Sequence, residues 1–247
     1  MLELDLWLEI AKSAALEGGN YLLQNQDKEL KVLMDSGRDI KLQLDTDTEK
    51  LIKESLSLQS SFSILGEETG LSNNLGEFYW VVDPLDGTSN FLRDIPISCV
   101  SIALMQDVTP ILGVIYDFNH DDLYFGHQNS KAFLNQNEIT VSDYSKKNQS
   151  TLVTGIPAKT HYSDEEFKNM INDFQDWKKV RMIGSAAMAA IYVAAGKAET
   201  YKENGIFLWD IAAGAAIVEA AGGVASIKNI QADYRVDAIF TNQHLAN

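Results

Sequence analysis

The sequence predicts a layered protein of the α+β/α/β class, with a mixed, largely antiparallel sheet in the first half and alternating strands and helices in the second. Two patterns in the 247-residue chain support this prediction. Short apolar strands follow one another closely before residue 140, whereas helices separate the strands after residue 150. Hydrophobic residues make up 45% of the chain, which is enough to bury a large core.

Two helices and several short strands are predicted in the first half. Apolar residues recur at helical spacing from Leu6 to Gln26, although Gly18-Gly19 weakens this helix unless another element packs closely there. Alternation around Ser36-Gly37 predicts a hairpin. Thr46 and Glu49 fit a capping box that opens the second helix. Further strands are predicted at residues 62–65, 78–82, 98–105, 111–117 and 123–125.

In the second half, predicted strands alternate with predicted helices. The polar stretch 143–149 is the expected boundary between residues 1–145 and residues 146–247, two halves of one compact unit. The elements predicted after this stretch are a strand at 151–154, a helix capped by Ser163 with Glu166, a strand at 180–183, a helix at 186–195, a strand at 199–201, a helix at 211–221, and strands near 224–227 and 238–240.

Composition excludes several classes of protein. The formal net charge of −15, from 35 acidic and 20 basic residues, argues against nucleic acid and anionic membrane as partners. The single cysteine, Cys99, lies in an apolar run and is predicted to be a reduced core thiol, so an internal disulfide is excluded. The acidic start lacks the features of a secretory signal, and no apolar stretch suits a membrane span. We therefore expect a soluble, cytoplasmic protein.

The most specific local signal runs from Asp83 to Thr88, where an apolar strand leads directly into two aspartates three residues apart. Pro84 fixes the backbone after Asp83, and Gly87 permits a sharp reversal after Asp86. Two carboxylates on one tight turn can share a pair of hard cations, and the amides of a following helix can bind a phosphate. Each dipeptide alone is typical of a surface turn, whereas the complete string indicates a functional site.

Two further acidic positions can complete such a site. Glu67 and Glu68 follow the predicted strand at 62–65, and Asp210 follows Trp209 at the start of a segment rich in Ala and Gly. By themselves the glutamates fit a solvated loop, and Asp210 fits a helix N-cap. Combined with the aspartate turn, these side chains supply oxygen ligands and a carboxylate that can orient water. Because they are distant along the chain, the fold must bring them together.

The residue types in these motifs indicate which metal and which nucleophile the site uses. All candidate ligands are oxygen atoms, and none of the 4 histidines lies within a motif, a pattern that favours Mg²⁺ (or Mn²⁺) over zinc or copper. No serine–histidine or cysteine–histidine pair occurs in the motifs, so the predicted nucleophile is a water activated by a bound cation. A pocket loaded with metal also attracts a phosphate despite the negative net charge.

These motifs resemble those of the inositol monophosphatase family, part of the magnesium-dependent, lithium-sensitive phosphatase superfamily that includes fructose-1,6-bisphosphatases and bisphosphate nucleotidases. The resemblance runs nearly from end to end. The segments that carry it are Gly66-Glu67-Glu68, Asp83–Thr88 with Phe91, Arg181–Ala187, Glu203-Asn204-Gly205 and Trp209-Asp210. The resemblance implies a layered αβαβα sandwich of the sugar-phosphatase type and a homodimer.

The resemblance also implies a metal-binding role for each carboxylate. Glu67, Asp83 and the carbonyl of Leu85 would hold a first Mg²⁺. Asp83, Asp86 and Asp210 would hold a second. A third and weaker ion is implied near the start of the second predicted helix.

For this third ion the resemblance implies Asp47, paired with Thr88. Family members usually carry threonine three residues before this aspartate, whereas this chain has Leu44 there, and Asp45 is a rival carboxylate. The implied catalytic groups are therefore Glu67, Thr88 and Asp47. The implied substrate contacts are the amides of Gly87 and Thr88 for the phosphate, and Gly184, Ser185, Ala186 and Glu203 for the alcohol portion. Asp210 is implied as a further substrate contact.

The leading functional hypothesis is a phosphomonoesterase that acts on inositol monophosphate or a related sugar or polyol phosphate. A 3′(2′),5′-bisphosphate nucleotidase is the nearest alternative, and a fructose-1,6-bisphosphatase comes third. A different class is an acidic scaffold or binding protein that keeps the fold without turnover. The presence of all four main carboxylates, Glu67, Asp83, Asp86 and Asp210, favours an enzyme.

Overall fold

The computed structural model describes residues 3–26, 28, 30–36, 39–157 and 161–246. The α-helices of this part of the chain are α1 (Leu4–Asn25), α2 (Gln43–Gln59), α3 (Thr88–Phe91), α4 (Asp164–Phe174), α5 (Ala186–Ala194) and α6 (Leu208–Ala220). The strands are β1 (Val32–Ser36), β2 (Asp39–Leu42), β3 (Ser63–Gly66), β4 (Gly70–Leu71), β5 (Phe78–Asp86), β6 (Cys99–Gln106), β7 (Thr109–Asp117), β8 (Asp122–His127), β9 (Ala132–Leu134), β10 (Asn137–Ile139), β11 (Thr151–Thr154), β12 (Lys179–Met182), β13 (Thr200–Phe207), β14 (Val224–Lys228) and β15 (Arg235–Thr241).

The strands form one hairpin and two sheets. β1 and β2 pair antiparallel in the hairpin. The larger sheet has eight strands in the order β10-β9-β8-β7-β6-β5-β3-β4, with antiparallel neighbours except for the parallel pair β3 and β5. The smaller sheet has five strands in the order β12-β11-β13-β15-β14, and β11 runs parallel to both of its neighbours. The larger sheet is therefore the largely antiparallel one, as predicted.

The helices and sheets stack in five layers. One face of the larger sheet packs against α1 and α2 in a core that includes Trp80 and Ile102. Its other face packs against α5 and α6, which also cover the smaller sheet at Tyr201 and Phe240. On the outer face of the smaller sheet, α4 lies over Leu152. This order of layers confirms the predicted αβαβα sandwich.

The close packing expected at Gly18-Gly19 is confirmed. A Cβ atom at Gly18 would overlap the side chain of Ile52 in α2, and one at Gly19 would overlap the ring of Tyr116 in β7. The two glycines therefore allow α1 to lie directly on α2 and on the sheet. The strands of the predicted hairpin are present as well, whereas its turn residue Gly37 lies outside the described residues.

Two helices begin earlier than the sequence analysis predicted. The capping box of Thr46 and Glu49 is wrong, because α2 already begins at Gln43. In its place Asp45 accepts the amide of Leu42 at 2.8 Å. Likewise α6 begins at Leu208 rather than at residue 211, with an aspartate in its first turn. Both helices follow an apolar residue that has no capping side chain, so the usual N-terminal signal is missing from the sequence.

Short strands account for most of the remaining differences. β4, β9 and β10 have two or three residues each and were not predicted, because so few residues show no periodicity. β13 continues to Phe207, well beyond the predicted 199–201, and its pairing with β15 is irregular between Asn204 and Ile206. Gly205, with φ of +74°, lies at this irregularity and interrupts the strand pattern.

Two expectations drawn from composition, the state of the cysteine and the lack of a membrane span, can be compared with the described residues. Cys99 is a free thiol and fully buried, and burial raises its pKa well above the usual range, as expected for a core thiol. None of the helices in the described ranges is both long enough and apolar enough to cross a bilayer.

The contact between β7 and α6 yields the first testable prediction. A Cβ atom at Gly113 would overlap the backbone carbonyl of Ala213, which cannot move without shifting α6. We therefore expect Gly113→Ala to lower the free energy of unfolding by about 1–3 kcal/mol or more, as overpacking does. Urea denaturation measures this change. Gly76→Ala is the control, because its nearest neighbour would be the carbonyl of Phe78 at 3.7 Å, and equal destabilisation by both variants would contradict the prediction.

Candidate active site

The aspartate motif lies at the end of β5, in the middle of the larger sheet. The pairing of β5 with β6 is irregular between Asp83 and Asp86, so the strand bends there and both aspartates reach one cavity. Oδ1 of Asp83 accepts the amide of Leu85 at 3.0 Å. Gly87 has φ of +93° and ends the strand, and a Cβ there would lie 2.6 Å from the carbonyl of Ile97. Only glycine fits this reversal.

Glu67 follows β3, the parallel neighbour of β5. The turn after β3 is held by Glu49 of α2, a fully buried side chain. Its carboxylate accepts the amides of Glu68 at 2.7 Å and of Thr69 at 3.0 Å, and it lies 3.2 Å from the ammonium of Lys53. Glu49 was assigned to a capping box by the sequence analysis, but the structure makes it the residue that holds the Glu67 turn.

Asp210 reaches the same cavity from helix α6, which lies between the two sheets. It lies in the first turn of α6, and its Oδ2 accepts the amide of Phe207 at 3.2 Å. Carboxylate oxygens of Glu67, Asp83 and Asp210 lie within 4.8 Å of one another. The convergence required by the sequence hypothesis is therefore present in the fold for these three carboxylates.

Asp86 connects the aspartate turn to α5. Its Oδ2 accepts the hydroxyl of Ser185 at 2.6 Å and the amide of Ala187 at 2.6 Å. The hydroxyl of Ser185 also accepts the amide of Met188 at 3.2 Å and thereby caps α5. This helix start is thus positioned by an aspartate from the larger sheet.

These groups line one open cavity of about 260 Å³. The predicted site residues that line it are Glu67, Asp83, Leu85, Asp86, Gly87, Thr88, Gly184, Ser185, Ala186, Glu203 and Asp210. Sequence reasoning missed Ile40, Ser89, Gly155, Ile156, Pro157 and Ile206, which also line it. Ser89 lies within the aspartate motif, directly after Thr88, and Gly155 directly follows strand β11. The other four residues lie outside any motif.

Asp47 is the one predicted site residue that does not line the cavity. Its carboxylate accepts the side-chain amide of Gln43 at 3.0 Å and lies 3.7 Å from Lys50. Thr88 instead donates its hydroxyl to the carbonyl of Leu85 at 3.0 Å. Within the described chain, no hydrogen bond joins Asp47 to Thr88.

The rival carboxylate, Asp45, does not line the cavity either, but its charge acts on Glu67. It is buried, and its charge contributes to the raised pKa of Glu67 after burial and the charge of Glu68. Side chains two positions apart on a helix point about 200° away from each other. Asp47 therefore points away from Asp45 and toward solvent. The charge of Asp45 thus acts on Glu67, whereas Asp47 contacts Gln43 and Lys50.

The closely spaced carboxylates of the site have raised pKa values. Burial and the charge of Glu68 raise the pKa of Glu67 to about 8. Burial and the charge of Glu67 raise the pKa of Asp83 and of Asp210 well above their usual range. For Asp86, burial raises the pKa to about 6, and the hydrogen bond from Ser185 opposes the rise. Such a cluster of carboxylates fits a divalent cation, because the cation supplies positive charge that compensates the converging negative charges.

Comparisons with known proteins identify a family model, several relatives and solved structures that this chain resembles. Residues 3–239 match the model of the inositol monophosphatase family. The Nus factor SuhB of Xylella fastidiosa is 38% identical over 220 residues, which cover 87% of this chain and 80% of that protein. The fructose-1,6-bisphosphatase/inositol-1-monophosphatase of Aquifex aeolicus is 33% identical, over 92% of this chain and 88% of its own length. A solved structure, inositol monophosphatase from Anabaena (Nostoc) sp. PCC 7120, superposes with a TM-score of 0.86 at 32% identity, covering 98% of this chain and 93% of that one.

The contacts of Glu49 predict an effect on cation affinity. Glu49→Gln replaces one of the two carboxylate oxygens that accept the Glu68 and Thr69 amides with an NH₂ group, which loosens the turn that carries Glu67. We expect the dissociation constant for Mg²⁺ to rise by roughly tenfold or more, as for other residues that orient a metal ligand. Calorimetric titration with MgCl₂ measures it.

The matched control for this variant is Glu54→Gln. Glu54 lies on the same helix, is exposed, and loses the same charge. An equal change in Mg²⁺ affinity for both variants would show that net charge, rather than the position of the turn, is responsible.

The raised pKa values predict an unusual pH dependence of stability. The pKa of Glu67 is about 8 in the folded protein against 4.5 as the reference value for a free side chain, so between these values the folded state binds more protons than the unfolded chain. The free energy of unfolding of the metal-free protein should therefore fall as pH rises through this range. Saturating Mg²⁺ should reduce the slope, since cations replace the protons.

Thermal unfolding at pH 5, 6, 7 and 8, with EDTA or with MgCl₂, measures this effect. The melting temperature in EDTA should fall toward pH 8, and the fall should be smaller in Asp210→Asn, which removes one of the converging charges. A melting temperature in EDTA that rises steadily from pH 5 to pH 8 would contradict the prediction.

Proposed function

The chain belongs to the inositol monophosphatase family of metal-dependent phosphatases, and from this premise we propose that it hydrolyses the monophosphate of inositol or a related polyol with Mg²⁺ as its cofactor. It is thus a phosphoric monoester hydrolase. The observation that carries the choice of a cation mechanism is the approach of the Glu67, Asp83 and Asp210 oxygens to within 4.8 Å in one cavity.

The carboxylates would divide two cations between them. Glu67, Asp83 and the carbonyl of Leu85 are proposed for the first, and Asp83, Asp86 and Asp210 for the second. When bound, such ions polarise the phosphate, make water more acidic and stabilise the leaving oxygen. All of these groups line the cavity, and an oxygen-only donor set favours Mg²⁺, with Mn²⁺ as the alternative.

The residues around the cations would position the substrate and the water. Gly87 and Thr88 line the cavity beside the carboxylates, and their amides are proposed to bind the phosphate. Glu67 lines the cavity next to the cation ligands and is proposed to orient the attacking water and to accept its proton. We assign any third cation to Asp45 with Glu67, in place of the Asp47 and Thr88 pair.

The alcohol portion of the substrate is proposed to contact Glu203 and the segment from Gly184 to Ala186, which line the opposite wall. Burial and the charge of Asp86 raise the pKa of Glu203 to about 8, so at neutral pH its carboxyl can donate a hydrogen bond to a substrate hydroxyl. This property suits a polyol. We further propose that the protein is a homodimer, which light scattering can test. The cytoplasmic location stays a prediction, as does the division of the chain into two halves after residue 145.

Two relatives keep other functions open. The Aquifex relative is named for fructose-1,6-bisphosphatase as well as inositol-1-monophosphatase activity, and the Xylella relative is named as a Nus factor. A substrate with two phosphates, or a binding role alongside catalysis, therefore belongs to the same test.

A panel of substrates tests the proposal directly. Phosphate release from inositol 1-phosphate, adenosine 3′,5′-bisphosphate and fructose 1,6-bisphosphate is measured with Mg²⁺, with EDTA, and with Mg²⁺ plus Li⁺. We expect the highest kcat/KM for inositol 1-phosphate, no release in EDTA, and inhibition by Li⁺. A preference for either bisphosphate would reassign the substrate, and no release from any compound would favour a binding protein.

Asp83→Asn provides the mutational test. Asparagine keeps the shape of the side chain but removes one negative charge from a buried cluster, so the fold should remain while cation binding is lost. We expect kcat/KM to fall by roughly 1,000-fold or more, in the range that loss of a main electrostatic contact produces. Exposed Asp107→Asn serves as the control. An unfolded Asp83→Asn variant would instead show that the aspartate is structural.

A further inference from the structure

A second cavity of about 290 Å³ lies beneath α4, on the outer face of the smaller sheet. We call it the α4 chamber. Its walls come from β11, β13, α4 and the segment before α4. The residues that line it are Leu152, Thr154, Gly155, Tyr162, Glu166, Asn169, Met170, Asp173, Phe174, Lys202, Glu203 and Asn204.

The α4 chamber adjoins the candidate active site. Gly155 and Glu203 line both cavities. The carboxylate of Glu203 packs directly against Gly155, where any Cβ atom would overlap it. This contact makes Glu203 and Gly155 a common wall of the two cavities, so a group that extends from the alcohol portion of a bound phosphate ester reaches the α4 chamber only if the Glu203 side chain turns aside.

The helix that covers the chamber is held above the sheet instead of collapsing onto it. None of its residues, Asp164–Phe174, is fully buried, although Met170 and Phe174 face the chamber. Its start is anchored, since Ser163 and Glu166 form a capping box and Tyr162 donates its hydroxyl to the carbonyl of Asn204 at 2.9 Å. An anchored helix start and a wall that is partly apolar are typical of a preformed pocket for a small molecule.

The charges of the chamber indicate what it accepts. Its described walls carry the carboxyl groups of Glu166, Asp173 and Glu203 and a single ammonium, that of Lys202. This ammonium lies 3.8 Å from Asp173, which also accepts Lys147 at 2.8 Å. Even with Glu203 neutral, the carboxylates of Glu166 and Asp173 remain, and the ammonium groups of Lys202 and Lys147 are both paired with Asp173. A second phosphate or another anion would therefore find no unpaired cation among these residues.

We propose that the α4 chamber is a subsite for an uncharged, partly apolar substituent on the alcohol portion of the substrate. The inference rests on the proposed phosphatase function and narrows its substrate class. It makes the enzyme suited to monophosphates of alcohols that carry a neutral ring or chain beyond the polyol, and it disfavours bisphosphates. Leu152, Met170 and Phe174 would contact the substituent, and Glu203 would lie between it and the phosphate.

Filling the chamber tests the proposal. Met170→Trp and Asn169→Trp each place an indole on a position that lines the chamber, whereas Ile171→Trp places the same group on the exposed face of α4. The readout is the ratio of kcat/KM for 2-naphthyl phosphate to kcat/KM for glycerol 2-phosphate, with Mg²⁺ present. We expect the ratio to fall by roughly tenfold or more in both filling variants, the effect of a blocked apolar pocket, and to match wild type in Ile171→Trp.

A binding measurement separates this proposal from the proposed function. Calorimetry with 2-naphthol, which carries no phosphate, should show binding to the wild type and to Ile171→Trp, with at least roughly tenfold weaker binding to both filling variants. If the wild type hydrolyses no phosphate ester, the phosphatase function fails while 2-naphthol binding still decides the chamber. The proposal is overturned if 2-naphthol binds the filling variants as tightly as the wild type, or if the ratio of activities is unchanged in them.

A third comparison addresses charge in the wild type. 6-Carboxy-2-naphthyl phosphate has the size of the preferred substrate but adds an anion, and we expect its kcat/KM to be lower than that of 2-naphthyl phosphate by roughly tenfold. Equal values for the two esters would overturn the acidic character that we assign to the α4 chamber.

Discussion

Mutual repulsion among closely spaced carboxylates is the constraint on which this structure depends. Glu67, Asp83 and Asp210 bring their oxygens within 4.8 Å, and Asp86 lines the same cavity. Burial raises the pKa of each of these acids above its usual range, and neighbouring carboxylates add to the rise for Glu67, Asp83 and Asp210. A cluster of this kind disperses unless protons or cations neutralise it, and unless each carboxylate is held in place by the surrounding backbone.

The backbone supplies this support through donors at the starts of helices and turns. Asp210 accepts the amide that precedes α6, and Asp86 accepts the amide of Ala187 at the start of α5. Asp83 accepts the amide of Leu85 within its own turn. The Glu67 turn has no helix start of its own and is instead held by Glu49 from α2. The site thus draws on three of the five layers, and its geometry is a property of their packing.

Charge also connects the metal cavity to substrate choice. The chain carries a net charge of −15, yet its proposed substrate is an anion, so the attraction must come from cations collected by the cavity rather than from the protein surface. Beyond Glu203 the acidic walls of the α4 chamber continue without such cations in the described residues. A monophosphate of a neutral alcohol satisfies both regions at once, whereas a second phosphate would have no favourable partner there.

The sequence by itself determined the residue types of the site and the class of the fold, because local motifs specify turns and ligands, and periodicity specifies helices and strands. The tertiary structure decided which distant side chains meet. Asp45 is buried and its charge acts on Glu67, whereas Asp47 contacts Gln43 and Lys50, because α2 begins at Gln43 and the two aspartates point in different directions. The role of Glu49 and the chamber beneath α4 were equally invisible in the sequence, since both arise from the packing of elements far apart along the chain.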